Sequence, residues 1–276
     1  MTDFDWHPVH AVDYTRLGAA RAQAHVAAQW LARAAFAYVP PQPDDRHSNL
    51  GWDDGFGGLV THALPDCARI GLKVADLTLA VLDGAGPDPV LALDSCRDAQ
   101  VRAWLGRQMA ARGLDPNALD APPRYEMPTL PSGATYAVAD LFESLRVLAA
   151  WESNAAAALG AQQADIVARK LDAPPVRCWP HHFDFDTLIT LAPGRTTGVG
   201  FSPGDHFYEE PYFYVSLYPG PDVATLPTLP AIGHWHANQF TAAVATAGRI
   251  VEAKDQKREV EAFLHEAVNI AIKTLS

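Results

Sequence analysis

Apolar residues at Leu17, Ala20, Ala24, Ala28, Leu31, Ala35 and Tyr38 follow a 3.6-residue period, with Arg16, Gln23, Gln29 and Arg33 off that stripe. The spacing predicts a helix that Pro40-Pro41 ends. A polar, turn-rich stretch from Pro43 to Asn49 follows, and then the period changes to two. Ile70, Leu72 and Val74 alternate, and Leu77, Leu79 and Val81 alternate on the opposite parity. Strands are predicted there, with a bulge or bend at Ala75-Asp76. Asp83-Gly84-Ala85-Gly86-Pro87-Asp88-Pro89 reads as a turn into a strand from Val90 to Leu93. Ser95 is the expected N-cap of a helix carrying Val101, Trp104, Leu105 and Met109, and Gly113 stands where a left-handed residue closes it.

Residues 115–133 hold five prolines and no period, which marks the expected linker between a first unit, 1–114, and a second, 134–276. Val138, Leu141, Phe142, Leu145, Leu148 and Trp151 predict a long helix, interrupted near Gly160 and resumed to Leu171. Short strand-like runs follow at 176–179, 183–191, 198–201, 212–218 and 232–236, separated by Pro and Gly, and read as an antiparallel meander. A last helix is expected from about Lys254 to Thr274. Each half reads helix, strands, helix. The predicted fold is α+β, two helix-and-antiparallel-sheet subdomains packed as one unit.

The chain of 276 residues is 49% hydrophobic, enough for a sizeable core, so disorder is excluded. It carries 21 basic against 32 acidic residues, net −11, with no Lys/Arg run, so nucleic acid and anionic membrane are not expected partners. Three cysteines, Cys67, Cys96 and Cys178, fit neither a disulfide framework nor a thiolate zinc site. The acidic start, Met1-Thr2-Asp3-Phe4-Asp5, and the shortness of the apolar runs predict a cytoplasmic protein.

Four of the eleven histidines fall in two groups, His181-His182-Phe183-Asp184-Phe185-Asp186 and Gly233-His234-Trp235-His236. On a strand, His234 and His236 point to one face, and His182, Asp184 and Asp186 share another. Were the two strands neighbours, His182, Asp184, His234 and His236 would present the nitrogen and carboxylate donors that zinc or iron takes, with a position open for water or substrate. The bland alternative is an aromatic core with Trp179, Phe183, Phe185, Trp235 and Phe240, in which the imidazoles only bond to backbone. In the intervening loop, Asp205, Glu209 and Glu210 are candidate acid/base groups, although solvated loop is the simpler reading of the two glutamates. Tyr212 and Tyr214 share a strand face that lines a pocket or fills the core.

Gly200-Phe201-Ser202-Pro203-Gly204 matches the nucleophile-elbow pattern, but Pro203 has no N–H for an oxyanion hole and no helix is expected after Ser202. Asp184 with Asp186 is a minor candidate for a glycosidase pair. The Asp44, Asp45, His47, Asp53, Asp54 stretch lacks calcium-loop spacing, and no phosphate-binding glycine motif is present.

Trp179 with Phe183-Asp184, then Pro203-Gly204-Asp205, Phe213-Tyr214 and Tyr218-Pro219, resembles the motif series of a bacterial domain family of unknown function. The first half is similar in Trp52, Gly58-Leu59-Val60-Thr61 and the helix end Arg112-Gly113-Leu114. That family has small residues where His181-His182 stand, so the resemblance supports only Asp184 of the four ligand candidates and implies no activity. The expectation is therefore drawn from the residues: a metal-dependent enzyme acting on a small molecule, through metal-bound water or non-haem iron chemistry. The competing readings are a metal-free ligand-binding or scaffold protein, and a metal-free acid/base enzyme using Asp184 with a histidine.

Overall fold

The opening 3.6-residue stripe folds as α1 (Tyr14–Tyr38), buried at Leu17, Ala20, Ala24, Ala28, Leu31 and Ala35. Val26, Ala27, Trp30, Ala32 and Ala34 are buried too, so the second half of the helix is covered on nearly every side. The computed structural model describes residues 4–84, 88–122 and 124–276 and is α+β. Two compact units emerge, one made of 1–14, 150–177 and 184–276, the other of 15–149 and 178–183. These bounds fall elsewhere than 115–133, a stretch that lies wholly in the second of these units.

In the unit of 15–149 and 178–183, β1 (Gly51–Asp53), β2 (Gly58–Val60), β3 (Arg69–Lys73), β4 (Thr78–Leu82) and β5 (Val90–Ala92) form an antiparallel meander in chain order. The parity change at Ala75-Asp76 is neither bulge nor bend but a hairpin turn over 74–77, with Leu77 left-handed at φ 45°. Ile70 pairs with Val81 and Leu72 with Leu79, so cross-strand partners separated by odd numbers of residues lie on one buried face. In the turn expected at 83–89, residues 85–87 lie outside the described residues.

Helix α2 (Asp98–Ala111) starts later than expected: Ser95 is left-handed at φ 60°, and the Gln100 side chain instead accepts the Arg97 N–H at 2.9 Å. Gly113 takes the left-handed closing position at φ 73°. Within 115–133, Pro116–Asp120 form a 3-10 turn, and Leu119 and Met127 are buried. α3 (Val138–Ala168) runs unbroken through Gly160, where an added Cβ would meet nothing within 4 Å. In β6 (Arg177–Trp179), Cys178 exchanges two 2.8 Å backbone hydrogen bonds with Leu50. The chain then turns over 180–183, with Phe183 left-handed at φ 61°.

The other unit is built on β7 (Asp184–Ala192), β8 (Arg195–Ser202), β9 (Tyr212–Leu217), β10 (Gly233–His236) and β11 (Thr241–Thr246), followed by α4 (Ala247–Val251) and α5 (Gln256–Leu275). These strands are antiparallel in the order β10-β11-β9-β8-β7. One face is apolar: Phe185, Ile189, Val199, Phe201, Phe213, Val215, Ala243 and Ala245 are at most 1% exposed. Against it pack Trp151 of α3, its ring centroid 6.1 Å from that of Phe201, and α5 through Val260, Phe263, Leu264, Ala267 and Ala271. Gly233 is required there, since a Cβ would come within 3.0 Å of the Phe263 ring.

Candidate functional site

The opposite face of these five strands holds the candidate groups. Register places His234, Val244, Tyr214, Gly200 and Asp186 in one row across the strands, with His236, Ala242, Ser216, Gly198 and Leu188 in the next. The two glycines clear a trough. A Cβ on Gly200 would lie 2.4 Å from Tyr214 Cζ and Oη and 2.6 Å from the Phe185 carbonyl oxygen; one on Gly198 would lie 2.8 Å from Ser216 Oγ. Tyr214 can therefore lie flat across β8 and donate its hydroxyl to Asp184 Oδ2 on β7 at 2.9 Å. The other oxygen, Asp184 Oδ1, is buried without a partner. Burial, reinforced by the charge of Asp205, pushes the Asp184 carboxyl up to about 6, against the Tyr214 hydrogen bond that opposes it. Burial and the Asp184 charge hold the Tyr214 phenol well above its usual range.

The loop after β8 is folded on Asp205. Its Oδ1 accepts the N–H groups of Phe207 (2.8 Å) and Tyr208 (3.2 Å), the side-chain turn that aspartate makes with backbone two residues on. Its Oδ2 accepts the Tyr212 hydroxyl at 2.5 Å and the Ser202 hydroxyl at 3.4 Å, and its N–H donates to the Tyr208 carbonyl at 2.7 Å. This clamp delivers the Tyr208 phenol to both histidines of β10: Oη lies 3.0 Å from His234 Nε2 and 2.9 Å from His236 Nδ1.

The proton inventory follows. His236 Nε2 lies 2.8 Å from the Asn238 carbonyl, which can only accept, so Nε2 carries the hydrogen and Nδ1 presents a lone pair to Tyr208. The single phenol hydrogen then goes to His236, and the contact with His234 is a hydrogen bond only if His234 Nε2 is protonated. Whichever nitrogen of His234 holds the proton, its Nδ1 is buried without a partner. Burial, the Arg249 charge and the neighbouring His236 hold His234 below the usual histidine value. Phe207 and Phe240 flank His236, with centroids 5.4 and 4.4 Å away.

Of the four expected ligands, the structure brings His234 and His236 together. Asp184 lies on their face but on β7, with β11, β9 and β8 between, so four strand intervals of ~4.8 Å put it about 19 Å across the sheet. His182 is exposed in the 180–183 turn of the other unit, where its ring lies 4.1 Å from that of His181; the turn also corrects the expectation that alternation continues from His182 into Asp184. Among the described residues, no three or more His, Cys, Asp or Glu side chains are grouped to hold a metal. Of the acid/base candidates, Asp205 is the loop clamp, Glu209 is exposed, and Glu210 accepts the Gly248 N–H and adds its charge to the burial that raises Tyr14 to about 12. Ser202 ends β8 and no helix follows it.

Sequence reasoning missed Tyr208, whose position depends on the Asp205 clamp, and His25, which lies 2.7 Å from the Pro180 carbonyl and stacks on Phe183 at 5.1 Å. The Gly198-x-Gly200 spacing, facing Tyr214-x-Ser216, is the signal that foretells the trough. The fold thus defines an α+β protein with a tyrosine, acid and histidine face on one sheet. No family model matches the chain, and no curated protein or solved structure matches it either.

Proposed function

We propose that the chain acts on a small molecule by acid–base chemistry on this polar sheet face, with Asp184 taking or giving the proton and Tyr214 fixing its carboxyl. The observation that supports this reading is the Asp184 carboxyl itself: one oxygen accepts from Tyr214, and the other is buried without a partner. Buried polar atoms left unpaired are rare in native proteins, and an orphaned carboxyl oxygen beside a fixed phenol is suited to a ligand hydroxyl, amine or carbonyl. A carboxyl pushed up to about 6 exchanges its proton close to neutral pH, as a general acid or base must.

The test is a thermal-shift screen of small polar molecules, followed by titration of each hit at pH 5 to 8. Hits should bind wild-type protein with an inflection near pH 6. Asp184→Asn should abolish the inflection and Tyr214→Phe should weaken binding, while Arg169→Gln, in the turn just after α3, should change neither. A screen yielding no compound whose binding depends on Asp184 overturns the reading. Metal-dependent chemistry has its own support in the Tyr208 cluster, with a ligand set different from the one expected from sequence.

A further inference from the structure

We propose that His234, His236 and Tyr208 are the three protein ligands of one transition-metal ion of the zinc or iron class. The proposal rests on the reading of this sheet face as the functional one, but on different residues from Asp184.

Three donor atoms converge. Metal–nitrogen and metal–oxygen bonds of about 2.0–2.1 Å place neighbouring ligand atoms about 2.9 Å apart in octahedral and about 3.3 Å apart in tetrahedral geometry. The Tyr208 oxygen stands 3.0 and 2.9 Å from the two imidazole nitrogens, close to the spacing of neighbouring ligand atoms on one ion. The phenol has one hydrogen for two imidazoles, and a cation replacing that hydrogen would satisfy a lone pair from each ring as well as the phenolate.

The surroundings suit such a site. His236 already has the second contact of a metal-bound histidine, its Nε2–H on the Asn238 carbonyl, which fixes the ring and turns the Nδ1 lone pair inward. His234 and His236 are two residues apart on one strand, so the backbone holds both rings on one face without a loop to order. Tyr208 is delivered by the Asp205 clamp, and Phe207 and Phe240 supply apolar walls. Two neutral imidazoles and one phenolate leave a dipositive ion with net charge +1 and leave coordination positions for water or substrate. Its third donor is a phenol, beside only two imidazoles.

The full chain, stripped with chelator, is dialysed against Zn2+ alone and its metal content measured, beside His234→Ala, His236→Ala, Tyr208→Phe and the exposed-loop control His206→Ala. Circular dichroism checks that each is folded. Wild type and His206→Ala should bind about one ion per chain, with affinity about tenfold or more weaker in the other three. Should a histidine variant fail to fold, Fe3+ added to wild type and to Tyr208→Phe decides: a visible phenolate-to-iron charge-transfer band is expected in the first and absent from the second. Equal zinc uptake by wild type and the folded variants, or no such band in wild type, overturns the proposal. Asp184→Asn should keep its zinc, so failure of the metal site and failure of the Asp184 reading are separate results.

Discussion

Glu152 offers the sharpest quantitative test of the structure. It lies on α3, is 0% exposed, and neither carboxyl oxygen has a partner. Burial alone pushes it from 4.5 up to about 8. The folded value stands above the unfolded one, so the stability tied to this group is fully present below pH 4.5 and is lost as pH rises toward 8. Between those limits the unfolded chain holds an ionised Glu152 and the folded chain a protonated one, at about 1.4 kcal/mol per pH unit. From pH 4.5 to 7 this amounts to about 3 kcal/mol, a large share of the ~5–15 kcal/mol that typically holds a protein folded. Glu152→Gln keeps the shape and removes the titration. Urea unfolding of both proteins, followed at intervals from pH 5 to 8.5, cancels every other titrating group in the difference. Wild-type stability should fall relative to the variant by about 1.4 kcal/mol per unit from pH 5 to 7.5 and then level off. The difference in slope decides, because the absolute offset also contains the cost of burying an unpartnered amide. Parallel curves, or a Glu152 carboxyl resonance that titrates in the ordinary carboxylate range, would refute the burial of a neutral acid at this position.

Gly200→Ala should cost about 1–3 kcal/mol by urea unfolding, because its Cβ meets the Tyr214 ring and the Phe185 backbone, which cannot both move aside. Gly160→Ala, in open space inside α3, should instead stabilise by about 0.5–1 kcal/mol; equal effects at the two glycines would remove the trough as an explanation. Asp205→Ala should cost about 2–3 kcal/mol, since it strands the Tyr212 hydroxyl, and should speed amide exchange at Phe207 and Tyr208; unchanged exchange there would mean the clamp is not what holds the loop.

How much of this was legible follows from which signals are local. The helices α1, α2, α3 and α5 were readable because each buries a 3.6-residue stripe, and the β3–β4 pair because alternation survives in each strand; only the turn between them was misread. Face parity was readable too, since His234 and His236 do share a side. Adjacency was not. Thr241-Ala-Ala-Val-Ala-Thr246, the strand lying between β10 and β9, is buried on both faces, so it shows no alternation, and its three alanines have low strand propensity. Overlooking that strand makes the histidine strand appear free to pair with the Asp184 strand. Including it puts Asp184 four intervals away, so the carboxylate and the imidazoles have to be read as two chemistries on one face. What links them is the row of Tyr208, Tyr212 and Tyr214, with ring centroids 4.9 and 6.0 Å apart, and Asp205 bonded to the middle ring. A change at Asp205 therefore reaches both ends: its charge raises Asp184, and its backbone contacts set Tyr208 between the histidines. No sequence period announces that coupling, because it is made by a loop whose shape is set by one side chain.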